Sequence, residues 1–231
     1  MKDEKIKIIV EGSIGSGKSY LLSGMDDGDY IIHKQNFKKV REELNDYYLR
    51  MKQGDYNCFE LQKNIFKTYE DQWNTYEDQW DNDEKRIICY EAIFSNYEVF
   101  SKLSYENKML SEEELKKLKE NHSPYALDMK PKLFVYVWCR TKTCLNRLRN
   151  RSNYSDTNEY VITIEYLEQV KNMYNKFFEI TEEELLKIDN ISNNFLMLEK
   201  QFKGFNLIIV NNDSDDLAAA KKLKVLIQNK L

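Results

Sequence analysis

Five short runs of mostly apolar residues, at 6–10, 30–32, 86–90, 133–139 and 207–210, are rich in β-branched and aromatic side chains and read as strands. The first two are separated by room for one short helix, and every later gap holds enough chain for at least one more. This alternation predicts a parallel sheet of five strands with right-handed crossovers and helices on both faces. Ligands of such a sheet belong at the carboxyl ends of its strands. Two helix starts are marked by capping boxes, Ser111 with Glu114 and Thr181 with Glu184. The tail from 215 to 231 is amphipathic and is expected to pack on the sheet.

One stretch repeats. TYEDQWN at 68–74 is followed at once by TYEDQW at 75–80, a step of seven residues. Seven residues are nearly two helical turns, so the copy lengthens a helix by roughly 10 Å while rotating the downstream residues by only about 20°.

Composition narrows the class. The chain has 231 residues, 42% of them hydrophobic and 32% charged, which suits one soluble globular domain with a sizeable core. A net charge of −4 with no basic run argues against polymeric nucleic acid as a partner. Cys58, Cys89, Cys139 and Cys144 form no CxxC pair, so reduced thiols in an intracellular protein are expected rather than zinc. No signal peptide and no membrane-length apolar run is visible, and a soluble, cytoplasmic location is the expectation.

The chemistry begins where the first strand ends. Gly12-Ser13-Ile14-Gly15-Ser16-Gly17-Lys18-Ser19 has the P-loop spacing, in which backbone N–H groups converge on phosphate at a helix N-terminus. Lys18 is placed to reach the β- and γ-phosphates of a nucleotide, and the Ser19 hydroxyl to meet magnesium. A tight strand-to-helix turn would also use glycines, but the apolar strand before the loop and Tyr20, Leu21 and Leu22 after it favour the phosphate site.

EGSIGSGKS at 11–19, FELQ at 59–62, IFSNYEVFSKLSYENKMLSEEE at 93–114, and RTKTCLNRLRNR and IEYLEQV between 140 and 170 resemble the deoxyribonucleoside kinases. The resemblance covers most of the chain, in order. It implies an α/β P-loop kinase fold, a single domain over 1–231 with a lid at about 147–160, and ATP-dependent phosphorylation of a deoxynucleoside 5′-hydroxyl, with ATP and magnesium as cofactors. Arg147 and Arg151 match the lid arginines that close over the phosphates, whereas a third lid arginine of several relatives falls on Asn153. A solvated charged helix face is the alternative for both arginines. In the acceptor pocket Gln62 matches the glutamine that contacts the base at two points, Tyr48 (with Tyr47 as competitor) the tyrosine on the 3′-hydroxyl, and Glu159 its carboxylate partner. A glutamine on a surface helix would look the same as Gln62. Family members pair as homodimers, and the same is expected here.

Two positions depart from the family. The glutamate expected after the second strand, the general base toward the 5′-hydroxyl, is replaced by His33-Lys34-Gln35-Asn36. After the third strand, Glu-Arg-Ser or Asp-Arg-Ser is replaced by Tyr90-Glu91-Ala92, which keeps Glu91 as a candidate catalytic acid or magnesium partner and loses the arginine. Phosphoryl transfer depends mainly on positioning and charge stabilisation, so a missing base costs about 10²–10⁴-fold rather than all activity. The rival readings are a catalytically weak nucleotide-binding relative with a regulatory role and a nucleoside monophosphate kinase.

Overall fold

The computed structural model describes residues 6–25, 30–33, 46–47, 50, 57–80, 87–150, 162–189, 197–213 and 218–230; at 31, 33, 72–80, 123–129, 197 and 218–219 the backbone alone is described. All five expected strands form: β1 Ile6–Glu11, β2 Tyr30–His33, β3 Ile87–Glu91, β4 Leu133–Trp138 and, last in the chain, β6 Phe205–Asn211. They pair in parallel. A sixth strand, β5 Met197–Phe202, lies antiparallel on β6 at the sheet edge, giving the order β2-β3-β1-β4-β6-β5. Sequence patterning alone misses β5. Its Glu199, Lys200 and Gln201 dilute the apolar signal, and its link to β6 is the two-residue turn Lys203-Gly204, with φ of 48° and 86°, rather than the familiar Asn-Gly.

Among the described residues the helices with defined bounds are α1 Lys18–Ser23, α2 Cys58–Trp80, α3 Lys102–Glu106, α4 Glu112–Met129, α5 Thr141–Arg149, α6 Ile164–Phe177, α7 Glu182–Asp189 and α8 Ala218–Lys230; a π-helical segment, Asn96–Ser101, leads into α3. Both expected capping boxes are made. The Ser111 N–H donates to Glu114 Oε2 at 2.8 Å while Glu114 N–H donates to Ser111 Oγ, and Thr181 and Glu184 exchange the same pair. The duplicated heptad lies within α2, which it extends without interrupting.

The core has two halves, one on each face of the sheet. Every residue of β4 is buried, as a central strand with both faces covered requires. Its Leu133, Val135 and Val137 face α1 and α8, where Leu21, Leu22, Leu223 and Ile227 pack. Phe134, Tyr136 and Trp138 face Val99 and Leu103, α6 (Val170, Tyr174) and Ile188 of α7. The tail helix therefore lies on the sheet as its pattern predicts. Chain direction sets where a ligand can enter: β1 leads toward the β2 edge and β4 toward the β6 edge, so a crevice opens past the carboxyl ends of these neighbours.

Candidate phosphoryl-transfer site

The loop leaving β1 fills that crevice. Gly17 caps α1 with φ of 90°, and a Cβ there would come within 2.4 Å of Asn212 Nδ2; a Cβ on Gly15, φ 79°, would come within 2.6 Å of the Cys144 carbonyl oxygen. Both positions combine a left-handed backbone with contact too close for a side chain. No acidic residue and no side-chain cap closes the first turn of α1, which leaves its N–H groups to the loop's concave side. The Lys18 ammonium donates to the carbonyls of Gly12 at 2.7 Å and Ser13 at 3.1 Å, so it lies across the loop. Ser13 Oγ and Ser16 Oγ are buried without a hydrogen-bond partner among the described residues.

Two side chains outside the motif hold the loop from behind. Asn212 Nδ2 donates to the Ser16 carbonyl at 2.7 Å, and Arg147 Nη1 donates to the same oxygen at 3.3 Å and to Cys139 Sγ at 3.3 Å. Arg147 is thus half-buried at the base of the phosphate loop, while Arg149 is exposed. Helix α5 ends at Arg149 with Asn150 closing it; Arg151 and the expected lid lie outside the described residues. Cys139 also donates to Asp213 Oδ1 at 3.6 Å, and its hydrogen bond to the Cys144 thiol, with burial, pushes its own thiol pKa up. All four cysteines are free and buried.

Glu91 ends β3 beside the loop. It is 3% exposed, its Oε1 accepts from the Ser19 hydroxyl at 2.6 Å, and its Oε2 has no partner among the described residues. The residue after it, Ala92, holds φ of 55°, an uncommon conformation for a side chain bearing a Cβ, and its N–H donates to the Val10 carbonyl. Glu11, at the end of β1, secures the same turn from below. Its Oε1 accepts from the backbone N–H of Phe94 at 2.7 Å and of Ser95 at 3.3 Å, and its Oε2 accepts from the Tyr174 hydroxyl at 3.4 Å. Burial pushes its carboxyl up to about 7, against the opposing pull of the Phe94 N–H and the Lys18 charge. The tips of β1 and β3 are therefore tied together under the Glu91 carboxylate.

On the acceptor side, Gln62 of α2 is buried, not a surface residue, and its Oε1 accepts from Ser101 Oγ at 3.3 Å. Tyr69, two turns further along α2 on the same face, has a buried hydroxyl without a hydrogen-bond partner among the described residues. Burial, with Glu11 and Glu91 nearby, raises its phenol well above the ordinary value. Asn96 Nδ2 is buried, and the Asn96 side chain lies beside the Tyr69 hydroxyl, where it pulls the phenol back down against burial. Tyr47 packs in the apolar cluster with Cys58 and Leu61; Tyr48 and Glu159 lie outside the described residues, as do 34–36, where the family's base is expected.

Sequence reasoning missed Glu11, Tyr69, Asn96 and Asn212. The signal for Asn212 is a run of polar residues, Asn211-Asn212-Asp213, directly after an apolar strand whose carboxyl end faces the crevice. Tyr69 is signalled by its spacing of seven from Gln62.

The deoxynucleoside kinase family model matches residues 8–212. The chain belongs to that family. As a deoxynucleoside kinase relative it is a transferase, and its similarity extends to particular proteins. It is 25% identical over 212 residues to a deoxyguanosine kinase of Dictyostelium discoideum, covering 90% of this chain and 69% of that protein. Its fold superimposes on a deoxyadenosine kinase from M. mycoides with bound dATP, at a TM-score of 0.66 and 20% identity over 97% of this chain and 98% of that one. The same enzyme with bound dCTP gives a TM-score of 0.60 and 19% identity, covering 98% and 100%. Among the described residues, no helix is long and apolar enough to cross a membrane.

Proposed function

We propose that the chain transfers the γ-phosphoryl group of ATP to the 5′-hydroxyl of a deoxynucleoside. The observation that carries this is the Ser19–Glu91 contact at the mouth of the phosphate loop, which puts a hydroxyl and a buried carboxylate oxygen lacking a hydrogen-bond partner beside the place where a triphosphate ends. That donor set suits magnesium, which takes few protein ligands and completes its shell with phosphate oxygens and water. Ser19 and Glu91 would hold it, and when bound it supplies charge neutralisation across the β- and γ-phosphates.

The chain's own residues do the rest. Amides between Gly12 and Ser19 and the Lys18 ammonium bind the phosphates and stabilise the charge that spreads over the transferring group. Arg147 braces the loop, and with Arg151, on a lid over about 147–160 of a single domain, it contributes positive charge as the site closes. Gln62 orients the base of the acceptor, while Tyr48 and Glu159 hold the 3′-hydroxyl. Tyr69 and Asn96 add polar atoms to the same pocket. Glu91 is the carboxylate assigned here to accept the acceptor's proton. The named relatives act on deoxyguanosine and deoxyadenosine, so purine deoxynucleosides are the first acceptors to test. The working protein is a cytoplasmic homodimer.

A coupled ADP-release assay with ATP, magnesium and each of the four deoxynucleosides tests the reading. Turnover with at least one nucleoside, abolished by Lys18→Ala, is the expected result. ATP binding without turnover above the Lys18→Ala background would favour the regulatory relative, and preference for a deoxynucleoside monophosphate as acceptor would favour the nucleotide kinase.

A further inference from the structure

A second cavity lies at the far end of the sheet. Its volume is about 250 Å³, and its walls include Phe94, Phe134, Phe177, Phe202, Phe205 and His122. Phe134 is the second residue of β4, and Phe202 and Phe205 flank the β5–β6 turn, so the cavity sits at the amino ends of β4 and β6 and the carboxyl end of the antiparallel β5. The phosphate loop packs nearer the other end of β4, where Gly12 meets the Val137 carbonyl, roughly 10 Å from Phe134 along the strand. Phe94 and Tyr97 of its wall belong to the segment that follows Glu91, but none of the phosphate-loop residues, Gln62, Tyr69, Glu91 or Asn96 is among its described lining residues.

Three features of the lining specify a ligand. The rings meet edge to face: Phe134 contacts Phe94, Phe202 and Phe205 with centroids 5.4 to 5.7 Å apart. These rings fill the space between themselves, but the half-buried Phe94, Phe177 and Phe205 leave aromatic surface against which a flat ring can pack, and the volume suits one or two fused rings with a short substituent. His122 is the polar element. It is 7% exposed, enclosed by Phe66, Phe94 and Tyr97, and its Nε2 has no hydrogen-bond partner among the described residues. Burial lowers its pKa to about 4, so at neutral pH the imidazole is uncharged and offers one donor and one acceptor nitrogen. An orphaned nitrogen in an aromatic enclosure is costly unless something pairs with it.

The rim is cationic. Lys119 and Lys203 line the cavity and are exposed, and Lys203 extends over the rings of Phe177 and Phe202 at 5.2 and 5.0 Å. We propose that this cavity is a second ligand site that binds a planar aromatic or heteroaromatic ring carrying an anionic group, with the ring among the phenylalanines, an edge on His122 and the charge at Lys119 and Lys203. Two sources share that chemistry, a nucleoside monophosphate and a simple aromatic carboxylate.

The test uses the fact that the chain has only two histidines, His33 and His122, so its imidazole ring-proton NMR signals are few and a His33→Gln variant assigns them. The 231-residue chain is titrated with deoxyadenosine monophosphate and, separately, with indole-3-acetate. Saturable movement of the His122 signals, retained in Lys18→Ala, is expected for at least one, and the anion that acts at the lower concentration identifies the source. Lys203→Asp, which keeps a residue tolerant of the left-handed backbone, combined with exposed Lys119→Glu, should weaken that binding about tenfold while leaving ATP affinity unchanged. Loss of movement in Lys18→Ala would assign the signal to the phosphate site and overturn the proposal. So would His122 signals unmoved by both anions up to about 1 mM, or binding equal in wild type and the doubly substituted protein.

Discussion

The Ser19 hydroxyl donates to Glu91 Oε1 at 2.6 Å, joining the first turn of the phosphate-loop helix to the tip of β3 across 72 residues of sequence. This one contact brings together the two protein groups that the proposed chemistry needs beside the transferring phosphate. Glu91→Gln keeps an oxygen for Ser19 and removes the charge. Turnover is expected to fall about 10²-fold or more, with the magnesium concentration for half-maximal rate rising about tenfold and ATP affinity measured without metal little changed. Steady-state kinetics over a magnesium series checks this.

Gln62 is buried and has one long hydrogen bond, to Ser101. Removing a two-point contact to a nucleobase costs about 1–3 kcal/mol, so Gln62→Ala is expected to raise the acceptor KM about 5- to 100-fold and leave the ATP KM within about twofold. Equal losses for both substrates would place Gln62 elsewhere.

Gly15 holds a left-handed backbone against the Cys144 carbonyl. Gly15→Ala adds a methyl where 2.6 Å is available, and the loop or α5 must move. A loss of about 1–3 kcal/mol is expected, lowering Tm by several degrees, with phosphate-site affinity falling in parallel. Thermal unfolding with and without ATP separates the two effects.

Glu11 gives the folded protein a pH dependence of known sign. Its carboxyl is raised from 4.5 to about 7 by burial, so the native state keeps a proton that the unfolded chain releases. Its contribution is fully present below pH 4.5 and is lost as pH rises through about 7, up to about 3 kcal/mol in all. Glu11→Gln mimics the protonated form. In urea unfolding across this range the variant should lack that fall, and an unchanged slope would contradict the assignment.

Much of the fold was legible in the chain itself. The five parallel strands follow from β-branched runs that a sheet covered on both faces demands, and the phosphate loop from glycine spacing with a strand before it. β5 was hidden because an edge strand has one covered face and tolerates Glu199, Lys200 and Gln201 on a backbone paired only with β6. Glu11 was hidden for a different reason. It reads as the polar end of a strand, and its role depends on Phe94 and Ser95, which come beside it only when β3 pairs with β1. Asn212 and Tyr69 are likewise ordinary residue types whose significance is their position in space.

The Ser16 carbonyl, held by Asn212 and Arg147, has a thermodynamic consequence. A trans peptide with its oxygen anchored this way must turn the following Gly17 N–H in the opposite direction, away from Asn212 and Arg147. On the proposed function the loop is thus held in one shape before the guest appears, and calorimetry of phosphate-tail capture should show little of the entropic penalty that accompanies loops which must first find their conformation.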